Sequence, residues 1–383
     1  MEEREQSKSQ EGAGQTDAPL IEEIGVGCLL ISGEAGNTFD QLLGALWRRR
    51  QATLLALELM LARACPNKLT YSEFAAAMRA YKRLESSLRR ALMEHPPFRA
   101  WLKQTTVLVM KSFNSGTIQC EAVEQRLVQF SRLLGSIAYR RGDSRPLTIE
   151  RYSVDPLIAE VAPPSYVFND LERKQALETV RPYTLAFFAE VVETALQRIE
   201  HVWPGFSALF SKFVKTIIHL PDAAFRSCSA HRFAGVIMLS AQDDTLLSVE
   251  ESLIHEWGHQ VLYCLMELDP LIRDDGQRMF VLPWSGAERD IYGYFHAAYI
   301  YFVLSVFLAR ALGREPVEDI AVRTRLLTIL TGLEKALTDL DATYAFTPAG
   351  RRFFDQLARR SRELINSDRS WLFSFPSLSS PEL

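Results

Sequence analysis

Ser248-Val-Glu-Glu-Ser-Leu-Ile-His255-Glu256-Trp257-Gly258-His259-Gln260 is the stretch on which the reading of this chain turns. Ser248 followed three residues later by Glu251 is a capping-box pattern, so a helix is expected to begin here. In a helix four residues span about 400°, which stacks His255 and His259 on one face. Two imidazoles at that spacing can reach a single ion at about 2.0–2.1 Å. Glu256, rotated by about 100°, falls beside them, where a metal-bound water or a substrate would sit. With seven histidines in the chain, an H-E-x-x-H pattern has composition odds of roughly one in a hundred. The competing reading is a helix with two unrelated histidines. Leu253, Trp257, Val261 and Cys264 give this helix an apolar face, and buried imidazoles without partners are costly, which favours a shared cation.

Working outward, the segment that follows offers two candidates for a third ligand: Glu288 and His296, in Pro283-Trp-Ser-Gly-Ala-Glu288-Arg289-Asp290-Ile-Tyr-Gly-Tyr-Phe-His296. A helical Glu288 would complete a two-His, one-carboxylate site of the thermolysin type. His296 lies two turns further on among apolar residues, where Tyr292 or Tyr299 could satisfy it instead. Spacing alone leaves the two candidates even.

The strand-like segments 214–220 and 235–240 precede this helix; they are short, β-branched and bounded by turn residues. Long helical periodicity covers residues 39–64, 71–94, 101–110, 122–139, 170–203, 248–268, 288–312, 316–340 and 348–366. Pro96 and Pro97 read as a helix stop, Pro182 as a kink, and Pro316 as a first-turn proline. Residues 161–165 and 241–245 read as loop. The expected fold is mainly α with a small β-sheet beside the metal-binding helix (α+β). Four segments are expected: 1–18 a disordered N-terminus, 19–145 a helical N-terminal region, 146–366 a metal-binding catalytic region, and 367–383 an irregular C-terminal tail. The turn-rich run 141–146 marks the boundary between the second and third.

Composition narrows the function classes. The 383 residues are 48% hydrophobic and 23% charged, with a net charge of -4, and no dense basic run suggests nucleic acid. The apolar run 297–309 is shorter than a bilayer span, so a buried core helix is expected and no membrane. No secretory h-region opens the chain, and five cysteines without a C-x-x-C pair read as reduced thiols, consistent with a cytoplasmic protein.

The ordered set Gly235-Val-Ile-Met-Leu-Ser240, Leu253-Ile-His255-Glu256-Trp-Gly-His259, Pro283-Trp284, Arg289 and Gly293-Tyr-Phe-His296-Ala297 resembles the H-E-x-x-H-motif proteins of bacterial peptide natural-product (RiPP) gene clusters. Some of these are iron- and 2-oxoglutarate-dependent peptide β-hydroxylases. The resemblance implies Fe(II) held by His255, His259 and His296. It makes Arg289 the candidate for the 2-oxoglutarate carboxylate and Glu256 a helper at the site, with a ribosomal peptide as substrate. It tilts the third-ligand choice to His296. The family often has an Arg-Pro pair where Arg289 is followed by Asp290. The alternatives are a thermolysin-like zinc peptidase with Glu256 as general base and Glu288 as third ligand, and a non-catalytic helical module that binds a peptide. His231, just before the second strand, reads as a surface-loop residue that could reach the pocket.

Overall fold

Helix α1 (Ala35–Ala64) belongs to two hydrophobic cores at once. Its first half buries Phe39, Leu42 and Leu46 in the larger core, and its second half buries Leu54, Leu57 and Leu61 in the smaller one. The computed structural model describes residues 35–64, 69–115, 120–139, 148–151, 185–220, 226–231, 234–240, 245–273 and 278–372. The expected features at 1–18, 141–146, 161–165, 170–184 (including the Pro182 kink), 241–244 and 373–383 lie outside them.

The smaller core is closed by α2 (Leu69–Arg83), α3 (Ser86–Glu94), α4 (Pro96–Asn114) and α5 (Cys120–Tyr139) packed on α1. The single helix expected over 71–94 is two. The first ends as the Leu84 N–H turns back to the Tyr81 carbonyl, and the second starts at an N-cap on Glu85. Pro96 and Pro97 end the helix before them, as expected: α3 stops at Glu94 and His95 is extended ahead of Pro96. They are the first turn of α4, where a missing N–H is harmless.

The larger core holds the sheet and the remaining helices, in the order β1 (Thr148–Arg151), α6 (Leu185–Val202), α7 (Phe206–Phe213), β2 (Thr216–Leu220), β3 (Ser227–Cys228), β4 (Val236–Ser240), α8 (Leu246–Leu268), β5 (Met279–Val281), β6 (Glu288–Asp290), α9 (Ile291–Ala311), α10 (Pro316–Asp341) and α11 (Pro348–Leu372). The four-stranded sheet runs β1-β2-β4-β3. β1, β2 and β4 are parallel, with Ile218 opposite Met238, and β3 is antiparallel on the β4 edge. β4 is buried along Val236–Leu239, which is why it reads as a continuous apolar run. The protein is mainly helical with a small sheet, as the sequence pattern implied.

Several boundaries differ from the periodicity. α8 begins at Leu246 because Thr245 is its N-cap, accepting the Ser248 N–H at 3.1 Å, so the Ser248–Glu251 capping box does not form. Residues 288–290 are a strand, and α9 starts after Asp290, whose carboxylate takes the Gly293 N–H at 2.7 Å. α11 runs to Leu372, six residues into the expected irregular tail. α9 is long and apolar enough to cross a membrane by length and composition, yet 78% of that window is buried inside the protein.

The two cores are tied by charge as well as by α1. Arg50 grips Glu267 near the end of α8 with two bonds of 2.7 Å and also reaches the Met93 carbonyl. Arg49 caps α8 through the Leu268 carbonyl at 2.7 Å. Burial pushes the Glu267 carboxyl up, but Arg50 and Arg99 prevail and hold it down at about 2. Its stabilising contribution is therefore complete above the ordinary carboxylate range and is lost as pH falls toward 2. Glu267→Gln should lower unfolding free energy at neutral pH by about 2 kcal/mol in urea titrations, the side chain being 30% open to solvent. The difference from the parent should shrink between about pH 5 and pH 2; a pH-independent difference would assign the loss to packing instead.

Candidate metal centre

Helix α8 is held at both ends by buried polar side chains. Glu250, fully buried, accepts from Arg198 of α6 at 2.5 Å and from Arg314 at 2.9 Å. Glu251, expected to cap the helix, instead pairs with Arg325 of α10 at 3.0 Å. Directly after His259, the buried Gln260 accepts the Gly235 N–H at 2.6 Å and donates to the Val236 carbonyl at 3.1 Å. That pins α8 to the start of β4. On the face away from the histidines, Trp257 is enclosed edge-on by Phe39, Trp203, Phe206 and Phe213. These four rings, from α1, α6–α7 and the turn between them, fix the rotation of α8 about its axis.

That rotation brings the three predicted imidazoles together. His255 and His259 have ring centroids 4.9 Å apart, and His259 and His296 lie 5.6 Å apart in a stack. The Nδ1 atoms of His259 and His296 are separated by 3.3 Å. Each ring is neutral: burial, with Arg226 and Arg325 nearby, lowers His255 to about 4. Burial and His231 lower His296 to about 3, and burial plus the two flanking histidines hold His259 well down. Neutral imidazole is the form that ligates metal. A neutral ring carries one N–H and one lone pair. His259 can satisfy one of them, and Nε2 of His296 is buried with no partner among the described residues. Among the described residues no group of three or more His, Cys, Asp or Glu side chains is arranged so that it could hold a metal ion; the rings stand in a row, His255 against His259 and His259 against His296.

The other candidates separate clearly. Glu256 is 2% exposed and accepts from Ser227 Oγ of β3 at 2.7 Å, its second oxygen having no partner among the described residues. Burial pushes its carboxyl up to about 7 against the pull of the Ser229 and Ser227 hydroxyls. Glu288 is exposed on β6, outside α9, so the helical carboxylate of a thermolysin-type site is not formed. Arg289 is also exposed, donating to its own neighbour's carbonyl at 2.9 Å, with its stem against Gly293 one turn before His296. β4 has a neighbour on each side, so an extended chain could join this side of the sheet only at β3. Trp284 is a packing anchor. It donates to the Ile329 carbonyl at 3.1 Å and stacks at 4.0 Å on Tyr301, which lies 6.3 Å from His255.

Sequence reasoning missed three participants. Gly258 has no side chain where Ile300 Cδ1 would lie 2.9 Å from a Cβ and Val303 stands just beyond, so α9 can approach α8. Ser227 was unreadable because β3 is two residues long. His231 is partly buried, in contact with Lys103 and 5.3 Å from the Tyr263 ring, rather than on a surface loop. The presence of His231 before β4 was the available signal. No protein-family model matches the chain, and no curated protein sequence matches it.

Removing either His259 or His296 by alanine substitution should reduce bound Fe(II) or Zn from about one equivalent to a trace, by elemental analysis after desalting. Glu288→Gln should leave the stoichiometry unchanged; its loss would restore the carboxylate site. Gly258→Leu should cost about 1–3 kcal/mol and weaken metal retention without touching a ligand, because it wedges α9 away.

Proposed function

We propose that this chain is an Fe(II)- and 2-oxoglutarate-dependent hydroxylase that acts on a side chain, at Cβ, of a ribosomal peptide. The observation that carries the reading is the pairing of His259 with the buried His296 while Glu288 stands exposed on another element. Three imidazoles suit iron, zinc or copper; the resemblance of the H-E-x-x-H and Gly-Tyr-Phe-His segments to peptide hydroxylases favours iron. His255, His259 and His296 would hold the metal. With 2-oxoglutarate and dioxygen it would supply the oxidation that converts C–H to C–OH, leaving succinate and carbon dioxide.

The protein's own contribution is positioning. An extended peptide can add to the β3 edge by backbone pairing, which sets the side chain to be modified next to Ser227 and Glu256. Glu256 orients that edge through the Ser227 hydroxyl. Arg289 is the candidate to hold the distal carboxylate of 2-oxoglutarate in a bidentate fork. Arg226 and Arg325, which both depress the His255 pKa, offer the same chemistry on the other side of the ring set. Tyr292, stacked at 4.3 Å on His296, and Tyr263, 5.8 Å from His259, wall the site and limit water.

A zinc peptidase remains the second reading because of one feature, the Glu256 carboxyl held near 7. Such a group can take a proton from an attacking water and return it to the leaving amine.

Incubation with Fe(II), 2-oxoglutarate, air and a precursor peptide encoded beside this chain should give succinate and a peptide mass gain of about 16 Da. His296→Ala should abolish both, and Glu256→Gln should reduce them less. Peptide cleavage with zinc, lost in Glu256→Gln and indifferent to 2-oxoglutarate, would replace the hydroxylase reading with the peptidase one.

A further inference from the structure

Between the small helical core and α8 lies a cavity of about 260 Å³. Arg49 and Arg50 of α1, Arg99 and Lys103 of α4, His231 and Glu267 line it. Among the described lining residues, four cations face one carboxylate. Glu267 is committed to Arg50 by two short bonds, and Arg49 is committed to the end of α8. Lys103 touches His231, which burial and Lys103 itself lower to about 4, so the imidazole is neutral and offsets no charge.

Arg99 is the telling residue. It is 9% exposed, and among the described residues its side chain donates one hydrogen bond, to the Cys264 thiol at 3.5 Å. Its Nε has no partner among the described residues. Burial and the neighbouring Arg50 lower its pKa against the pull of Cys264 and of Glu267, whose carboxylate is already bonded twice by Arg50. The space it occupies is kept open. A Cβ on Gly235 would meet Arg99 Nη1 at 3.0 Å, and Gly235 has φ +96°, a conformation that suits glycine. A buried guanidinium that shares its nearest carboxylate with another arginine can take a further anion, and guanidinium groups hold carboxylate and phosphate oxygens in a two-point fork.

We propose that this cavity binds a small anion bearing a carboxylate or phosphate group, with Arg99 as its principal contact and Lys103 as its second. The site is distinct from the three-histidine centre and does not depend on the hydroxylase reading. The two adjoin each other, because Tyr263 lies 5.3 Å from His231 on one side and 5.4 Å from His296 on the other. An anion here would join α4 to α8 and brace the wall of the metal centre.

The test is thermal unfolding and calorimetric titration of the full chain with inorganic phosphate and, separately, succinate, against sodium chloride at matched ionic strength. Saturable binding of about one equivalent and a rise in Tm are expected from one of the two, which identifies the source of the anionic group. Arg99→Met should abolish the rise while leaving the Tm of the anion-free protein no lower, since a methionine removes a buried charge that shares its nearest carboxylate with Arg50. Lys103→Gln, nearer the solvent, should weaken binding about tenfold and decides the matter if Arg99→Met does not fold. His296→Ala should leave the anion-dependent rise intact, which separates this site from an anion held at the metal centre. No effect beyond chloride in the parent would overturn the proposal. So would an undiminished rise in folded Arg99→Met or, where that variant does not fold, in Lys103→Gln.

Discussion

At Gly258 helix α8 presents no side chain, and Ile300 and Val303 of α9 fill the gap. The close approach of these two helices is the contact on which the candidate centre depends. His255 and His259 meet on α8 whatever surrounds it, because helical geometry stacks residues four apart. His296 comes from another helix, 37 residues further along the chain, and reaches His259 only because α9 lies against α8 at the turn between them. The same contact forces α9 to be buried nearly all round, which explains its membrane-like composition without any membrane.

Such an arrangement places neutral imidazoles and a protonatable carboxyl in the interior, and the surrounding structure has to compensate. It does so with polar groups that are themselves buried and bonded. Glu250 and Glu251 are fixed by arginines from three other segments, and Gln260 satisfies both of its groups on the backbone of β4. Removing one partner from such a buried pair costs far more than the net worth of the pair, so these side chains make the position of α8 sharply defined rather than merely stable. The Trp257 cluster does the same for rotation about the axis. A ligand helix must be fixed to within a fraction of an ångström for three donors to meet one ion, and aromatic edges on one face with bonded carboxylates at the N-terminal end satisfy that demand.

What was legible in the sequence follows from how local each signal was. The stacking of His255 on His259, the buried character of 248–268 and the mainly helical fold rest on periods of three to four residues and could be read directly. Helix ends were less legible. Thr245 and Asp290 became caps, displacing the Ser248–Glu251 box and the expected start at Glu288, because tertiary contacts claimed Glu251 for Arg325 and residues 288–290 for the hairpin with β5. The exclusion of Glu288 therefore could not be derived from spacing: a carboxylate at that distance is compatible with a ligand until the chain around it is known to be a strand. β3 is too short to leave a pattern, and Gly258 and Gly235 look like ordinary glycines until the helix or guanidinium beside each one is in view.

The boundary expected near residue 145 also changes meaning. A region with its own core is expected to end at an exposed linker, yet α1 is continuous through both cores, and Arg49 and Arg50 on it close directly onto α8. The helical N-terminal part is thus built into the support of the candidate centre. A displacement of α4 relative to α8 would be felt at His231 and Tyr263, one ring from His259 and His296. This geometry gives the N-terminal helices a physical route to the three histidines, because Arg49, Arg50, Arg99 and Lys103 supply most of the charged wall behind them.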